Sequence, residues 1–325
     1  MQNHLLRRGW VWILLVILMA GSTSQASDAY TENEESQRTF RIFLRTARDT
    51  PEEQLTYADG LQSHGRLKKA DRQYRALIDQ WPASPEAAVA QHKHADLLRR
   101  RGKHQQAFDQ LQTLIDTYPG RFDYDDVLQS QFDIAVKVMN LKHGKLWILP
   151  GFEAPERALD MLARVVKNGP RSKHAAEAQY LQGSIREQVK EIELAVVDYT
   201  ETMLRYPESS FAEKAAFGRA RCLVRLSNES PNDTDSAQEA WHALTLFNTT
   251  YPKSEYRQRA DQYSKQMYNR LARGAYDIAV FYDTKAQKYE AALFAYESFV
   301  RRFPSSQWTQ KANQRIQALK QRAGE

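Results

Sequence analysis

The sequence predicts an all-α fold built from about six repeated pairs of helices. Glycine supplies only 13 of the 325 residues, a scarcity that disfavours turn-dense β folds and glycine-rich phosphate loops. One spacing recurs along most of the chain: an alanine is followed twelve residues later by a proline. A single cysteine excludes an internal disulfide framework and a zinc cluster made of cysteines. Together these observations favour a helical repeat array.

The recurring alanines predict the inner face of one helix in each repeat. The alanine–proline pairs are Ala70/Pro82, Ala107/Pro119, Ala158/Pro170, Ala195/Pro207, Ala240/Pro252 and Ala292/Pro304. Four and seven residues after each alanine, large side chains lie on the same helical face. These positions hold Tyr74, Leu111, Leu162, Tyr199, Leu244 and Tyr296, then Leu77, Leu114, Val165, Thr202, Phe247 and Phe299. Thr202 is the weak member, and Met203 beside it could compensate.

Prolines, serines and glycines at fixed positions predict where these helices begin and end. Proline cannot continue a helix and is frequent just past its end. A serine follows two residues after most of these prolines, where it can cap the next helix: Ser84, Ser172, Ser209, Ser254 and Ser306. Pro85 suits the first position of a helix, and Gly65 and Gly102 suit the end of a preceding amphipathic helix. Each repeat is therefore predicted as helix A, a short turn, helix B and a Pro-Ser turn.

Two repeats have a proline-to-proline spacing of 37 residues, from Pro82 to Pro119 and from Pro170 to Pro207. With the Gly, Ala, aromatic and Pro pattern, this resembles the tetratricopeptide repeat (TPR) family. The resemblance implies a right-handed superhelical solenoid of about six helix pairs over residues 51–322. Three repeats carry extra residues, at 139–157, at 228–235 and in a long helical pattern over 255–286.

The segments outside the array are predicted as follows. Residues 1–26 are typical of a secretory signal peptide, with Arg7 and Arg8 before a short apolar run; the alternative is an uncleaved anchor. Residues 27–50 are predicted as a polar linker with a short helix over 36–48 that packs on the first repeat. Residues 307–320 are predicted to cover the last repeat.

Without residues 1–26, the chain has 44 basic and 40 acidic residues, a net charge of +4. This small charge without a long Lys/Arg run gives no indication of nucleic-acid binding. Ser22 occupies the place where a bacterial lipoprotein would carry its acylated cysteine. The predicted protein is therefore exported and periplasmic but not lipidated.

The last third of the chain resembles the BamD family of outer-membrane protein assembly factors. The resemblance rests on Tyr251–Tyr256, Ile278–Tyr282, the aromatic Tyr289 before Ala291-Ala292, and Phe303–Ser306, and it covers residues 237–315 best. It implies a periplasmic scaffold that binds unfolded outer-membrane barrel precursors and docks to the barrel-assembly subunit. Association with the outer membrane would be peripheral, through that partner. Residues 170–225 also resemble the repeat protein that partners the Tol system, so an adaptor for Tol, cell division or secretion stays open.

Catalysis and cofactors have no support in the sequence. It contains no nucleophile-elbow, His-Glu-x-x-His or phosphate-loop motif. His92 and His94 are two apart and point to different sides of a helix, so they cannot chelate one metal ion. Cys222 is predicted as a small buried helix residue rather than a reactive thiol activated by nearby arginines. The predicted protein is a non-enzymatic scaffold without a cofactor.

Two candidate partner-binding features remain. The first is an apolar loop over residues 145–152, with Trp147, Ile148 and Phe152. It either projects to anchor a partner or folds back to fill a gap in the array. The second is the face of helix A in the first two repeats, predicted to hold a peptide or to be merely solvated. Its residues are Glu52, Asp59, Gln62, His92, Asp96 and Arg99.

Overall fold

The computed structural model describes residues 45–143, 152–231 and 233–323. These residues are helical apart from turns and one pair of two-residue strands. Contacts divide the chain into two compact units, the first ending at Val127 and the second beginning at Leu128. The predicted signal segment lies outside the described residues. Within them, no helix is both long enough and apolar enough to cross a membrane.

The first unit contains two complete helix pairs. In order they are α1 (Pro51–Ser63), α2 (Leu67–Gln80), α3 (Pro85–Arg100) and α4 (His104–Thr117). Helix α5 (Tyr124–Met139) begins in this unit and continues into the second.

The second unit begins with a short antiparallel strand pair after α5. Strand β1 (Lys142–His143) pairs with β2 (Phe152–Glu153), with Lys142 opposite Glu153 and His143 opposite Phe152. A 3-10 turn (Pro155–Ala158) then leads into the remaining helices. These are α6 (Leu159–Asn168), α7 (Ala175–Gln188), α8 (Ile192–Arg205), α9 (Ser210–Glu229), α10 (Thr234–Thr250), α11 (Arg257–Val280), α12 (Tyr289–Arg302) and α13 (Thr309–Ala323).

The predicted all-α TPR fold is confirmed, with helices A and B where the sequence places them. Helices α1, α3, α5, α7, α9 and α11 are the A helices, and the even-numbered helices from α2 to α12 are their B partners. The predicted insertions fall between A and B, since α5 ends at Met139 and α9 ends at Glu229. The long pattern over 255–286 is α11 followed by a π-helical turn at Phe281–Lys285.

The core follows the predicted spacing closely. All six repeat alanines have no exposed surface, and the large residues four and seven positions later are at most 3% exposed. Thr202 is fully buried as well. Its hydroxyl donates to the backbone oxygen of Asp198 at 2.9 Å, so this polar group is satisfied inside its own helix. Met203 is therefore not needed in its place.

Two of the five predicted serine caps, Ser84 and Ser209, are formed, whereas Ser254 and Ser306 bond to amides that precede their helices. Ser84 Oγ accepts a hydrogen bond from the amide of Ala87 at 3.1 Å, and Pro85 occupies the first turn of α3. Ser209 likewise accepts the amide of Phe211, while Ser254 and Ser306 accept the amides of Tyr256 and Trp308, the residues directly before α11 and α13. Ser172 makes no such bond: its hydroxyl is buried without a partner among the described residues, and only its backbone oxygen accepts the amide of Ala175.

Four of the six A helices, α1, α3, α7 and α11, are followed by a left-handed residue. Gly65 and Gly102 have φ values of 70° and 74°, as their sequence positions predict. The same place is taken by Lys190 (φ 70°) and Gln287 (φ 51°), which the sequence pattern did not indicate. After Lys190, the amide of Glu191 donates to the carbonyl of Arg186, five residues earlier, at 2.8 Å. This is the six-to-one hydrogen bond of a Schellman motif at a helix C-terminus.

The helix predicted over 36–48 is wrong for its described part, residues 45–48, which are not helical. The amides of Ala47 and Arg48 donate to the side-chain oxygen of Gln54 instead. Thr50 precedes a proline and is extended, with φ −121° and ψ 151°, a conformation that separates this segment from α1.

The predicted cover of the last repeat is α13. Ala312 and Leu319 are buried against the preceding helices, and Trp308 and Ile316 pack beside them. The opposite side of α13 is polar, as expected for a terminal helix of an array.

Candidate partner-binding surface

Polar side-chain contacts on the A helices of the first unit connect one repeat to the next. Lys93 Nζ on α3 lies 2.6 Å from Asp59 Oδ1 on α1. His92 Nε2 lies 3.7 Å from Asp126 Oδ2 on α5. Each pair joins residues 34 positions apart on successive A helices. Asp59 and His92 therefore both lie on the side of their helix that meets the next A helix. The assignment of this side of the A helices to a peptide-binding face stays a prediction.

Two of the predicted peptide-binding residues are already engaged within their own repeat. The single hydroxyl proton of Tyr74 on α2 is shared between two acceptors, Asp59 Oδ1 at 2.6 Å and Gln62 Oε1 at 2.8 Å. Burial, followed by the hydrogen bond to Asp59, raises the pKa of Tyr74. Asp59 and Gln62 therefore help to hold α1 to α2.

The other predicted residues of this face are more accessible. Glu52 is exposed in the first turn of α1. Asp96 binds Arg99 and Arg100 on its own helix, each at 2.6 Å. Such surface pairs contribute little to stability, so these side chains can exchange partners at low cost.

The apolar loop is only partly described. Trp147 and Ile148 lie outside the described residues. Phe152 belongs to β2, whose backbone pairs with that of His143 in β1, so the strands on either side of residues 144–151 are paired. Whether the loop anchors a partner or packs on the array stays a prediction.

The structure contains a recurring group that the sequence reasoning missed. Three repeats have a tyrosine four residues after the repeat alanine. Each tyrosine hydroxyl binds a group near the end of its A helix, and each adjoining carboxylate binds a cation from the next helix in the A position. We call these groups the tyrosine triads: Tyr74–Asp59–Lys93, Tyr199–Glu187–Arg221 and Tyr296–Asp283–Arg315.

The triad of Tyr199 has the tightest geometry. Arg221 donates two hydrogen bonds of 2.6 Å to the two carboxylate oxygens of Glu187, and the hydroxyl of Tyr199 donates at 2.8 Å. Burial alone would raise the pKa of Glu187, but the hydrogen bonds from Arg221 and Tyr199 outweigh it and lower the pKa. Glu187 is therefore ionised at neutral pH, and it ties α7 to α8 and α9.

Two glycines make room for the ring of Tyr199. A Cβ atom at Gly183 on α7 would lie 2.8 Å from Tyr199 Cδ1, and one at Gly218 on α9 would lie 2.7 Å from Cε2 and Cζ. Glycine inside a helix is otherwise unfavourable. These two glycines, with the tyrosine four residues after Ala195, are the sequence signal that could have revealed the triad.

Buried glutamines form a second recurring contact. Gln54 Nε2 donates to the backbone and side-chain oxygens of Gln73, at 3.1 and 2.7 Å. Gln91 makes the same two contacts with Gln110, at 3.1 and 2.8 Å. Both glutamines are nearly inaccessible, so these amides fix A helices to B helices and are not available to a partner.

His94 and Asp71 form a buried pair in the first unit. His94 Nδ1 lies 2.7 Å from Asp71 Oδ1, and Arg101 lies 3.4 Å from the other carboxylate oxygen. Burial alone would raise the pKa of Asp71, but His94 and then Arg101 outweigh it and lower the pKa. The pair lines an open groove of about 970 Å³ between α2, α3 and α4.

The other candidate chemical groups are structural. Cys222 is 1% exposed, and burial raises the pKa of its thiol to about 12, which keeps the thiol protonated and inert. The prediction of a buried helix residue is confirmed. Among the described residues, no group of three or more His, Cys, Asp or Glu side chains could hold a metal ion.

Comparison with known families agrees with the repeat architecture. Residues 89–120 match a tetratricopeptide repeat model, and residues 153–297 match the YfiO family model, described as an outer membrane lipoprotein. The sequence resemblance found in the last third is thus supported over much of the second unit. No curated protein matches the chain.

Solved TPR proteins also resemble the chain. They include YrrB, described as a TPR protein with an unusual peptide-binding site, at 14% identity, covering 72% of this chain and 98% of that one with a TM-score of 0.33. A tetratricopeptide repeat protein from Parabacteroides merdae has 13% identity and covers 83% and 98% with a TM-score of 0.32. A double mutant of MamA has 15% identity and covers 64% and 99% with a TM-score of 0.31.

Proposed function

We propose that this protein is a non-enzymatic periplasmic scaffold of the BamD kind, which binds unfolded outer-membrane barrel precursors and docks to the barrel-assembly subunit. The observation that carries the proposal is the match of residues 153–297 to a family of outer membrane lipoproteins. The TPR match at 89–120 supports protein–protein interaction as the activity of the repeats.

The A-helix face of the first unit is the proposed site for an extended or helical peptide. Glu52, His92, Asp96 and Arg99 are partly or fully accessible there. Asp59 and Gln62 support the site from behind, since Tyr74 holds both. Polar groups of both signs suit a site that binds backbone and side chains of many sequences.

Export and attachment are part of the same proposal. Residues 1–26 would direct the chain across the inner membrane. Ser22 cannot be acylated like the lipoprotein cysteine, so the protein would reach the outer membrane through its partner. The loop over 145–152 is a candidate contact in that assembly.

Co-purification from detergent-solubilised envelope tests the docking proposal. We expect a barrel-forming outer-membrane protein to co-purify with the tagged chain. Recovery of Tol or division proteins alone would instead favour the adaptor function. Replacing Trp147 and Phe152 with Ser tests the loop: lost partner recovery with unchanged thermal stability supports docking, and lost stability with unchanged recovery shows that the loop packs on the array.

Site-specific photo-crosslinking tests the peptide site. A photoreactive residue at Glu52 or His92 is expected to crosslink to a urea-diluted barrel precursor. The same residue at Lys69, exposed on the B helix α2, is the matched control. Equal crosslinking at all three positions would contradict a site on the A-helix face.

A further inference from the structure

Helix α8 has an apolar outer face that the repeat fold does not require. Leu194, Val197 and Leu204 are 46%, 54% and 76% exposed. The opposite side of the helix, with Ala195, Tyr199 and Thr202, is buried where α8 packs on α7 and α9.

The spacing of this outer face is that of a helix-binding seam. Leu194, Val197, Glu201 and Leu204 follow one another at intervals of three, four and three residues. These intervals are the alternating a and d positions of a heptad, which meet a partner helix along one line. We call these four residues the α8 seam.

In the corresponding helices of the other repeats, the positions of the α8 seam hold at most one large apolar residue each, Leu246 on α10 and Phe294 on α12, whereas α8 holds three. Counted from the repeat alanine, the same four positions on α4 are Gln106, Asp109, Thr113 and Asp116. In the third repeat they are Arg157, Asp160, Arg164 and Lys167. Both sets are entirely polar, as expected of a solvated outer face.

The charges around the α8 seam define what can cover it. Glu191 and Glu193 lie exposed at the start of α8, and Glu201 lies within the seam. Among the described residues, the cations on this face are Lys190, exposed just before Glu191, and Arg205, whose Nη1 lies 3.6 Å from Glu201 Oε2 with both side chains about half exposed. Three carboxylates against two cations leave this face net acidic, in a chain whose overall charge is positive.

We infer that the α8 seam binds an amphipathic helix that carries Lys or Arg beside its own apolar stripe. Leucines of such a helix would cover Leu194, Val197 and Leu204, and its cations would meet Glu193 and Glu201. A second copy of this chain fits less well, because pairing two α8 seams brings two acidic faces together. The site is on a B helix and is separate from the A-helix face proposed above.

A binding titration with designed peptides tests this inference. The probes are a fluorescent 18-residue helix of Leu and Lys and a matched helix of Leu and Glu with the same apolar positions, titrated with the chain from residue 27 onward. We expect the Leu/Lys helix to bind at least about tenfold more tightly than the Leu/Glu helix. Leu204→Ser is expected to weaken Leu/Lys binding by about tenfold, as for an interface anchor.

Two further variants separate the seam from general electrostatic attraction. Glu201→Lys should weaken the Leu/Lys helix and strengthen the Leu/Glu helix. Leu246→Ser removes a leucine that is 56% exposed on α10 and should leave both affinities unchanged. Circular dichroism melts establish that each variant is folded.

Three results would overturn the inference. The first is equal affinity for the two peptides, and the second is an equal effect of Leu204→Ser and Leu246→Ser. The third is concentration-dependent self-association in sedimentation that Leu204→Ser abolishes, without any peptide binding. That result would assign the α8 seam to a second copy of the chain.

Discussion

Tyr199 is the residue whose surroundings are most demanding. Its ring lies between Gly183 and Gly218, and its hydroxyl binds Glu187. Because the ring is fully enclosed and the hydroxyl is satisfied, volume and polarity must both be right at this position. Single substitutions around it can therefore separate packing from charge.

Gly218→Ala is expected to destabilise the second unit by about 1–3 kcal/mol, because the new methyl group would overlap the Tyr199 ring. The matched control is Gly274→Ala on α11, where no atom lies within 4 Å of the added Cβ. That change should stabilise the protein by about 0.5–1 kcal/mol, since alanine favours helix. Urea unfolding measures both, and equal effects would contradict the packing account.

Two carboxylates of the second unit should respond to pH with opposite signs. Burial raises the pKa of Asp198 to about 6, although Arg186 lies 3.2 Å away. In the folded state Asp198 therefore binds a proton that the unfolded chain has released, and its contribution to stability falls as pH rises from about 4 to 6. The pKa of Glu187 is lowered, so its contribution is present above about pH 4 and is lost as pH falls through its folded pKa.

Asp198→Asn is accordingly expected to raise the free energy of unfolding at pH 7 by about 1–2 kcal/mol. Glu187→Gln should lower it, because Arg221 and Tyr199 lose an ionised partner. Unfolding curves between pH 4 and 8 test both signs. A stability gain for Asp198→Asn that is the same at pH 4 and pH 7 would mean that titration of Asp198 is not the cause.

At the scale of the helices, the sequence predicts local features well but does not predict contacts between distant residues. Alanine spacing, prolines and serine caps are local features, and they predicted the A and B helices and their buried faces. The tyrosine triads join residues up to 34 positions apart, so periodicity alone could not reveal them. Asp59 and Gln62 were predicted as peptide-binding residues, and their hydrogen bonds with Tyr74 depend on how α2 packs, which the spacing does not show.

The left-handed residue that follows four of the A helices was predicted only where it is glycine. Lys190 adopts the same conformation, with φ 70°, at a steric cost that glycine avoids. Lys190→Gly is expected to stabilise the second unit by about 0.5–1 kcal/mol. Lys190→Ala removes the same side chain without relieving the backbone, so a gain of equal size there would contradict this reason.

At the scale of the whole molecule, a helix array needs an end that resists fraying. The last triad provides it, because Arg315 on α13 donates to both oxygens of Asp283, at 2.6 and 2.8 Å. Asp283 is 5% exposed. Removing the cation would leave a buried carboxylate without its main partner.

Arg315→Met is expected to lower the free energy of unfolding by about 2 kcal/mol. This loss is smaller than for a fully buried ion pair, because Arg315 is partly exposed to solvent. Adding Asp283→Asn should recover part of the loss. Lys320→Met, on the same helix, removes a surface pair with Glu297 and should cost no more than about 0.5 kcal/mol. Hydrogen exchange of α12 is the measurement, and equal loosening by both methionine variants would contradict a special role for Arg315.

The two matching glutamine contacts of the first unit bear on which B helix packs against α1 during folding. If α4 docked on α1 in place of α2, Gln54 would still find an equivalent partner in Gln110. Asp59 and Gln62 would then meet Leu111 instead of the hydroxyl of Tyr74, so both would lose that hydrogen bond and Asp59 would keep only Lys93. The difference between Tyr74 and Leu111 therefore disfavours the incorrect docking of α4 on α1, although the glutamine contact alone would allow it.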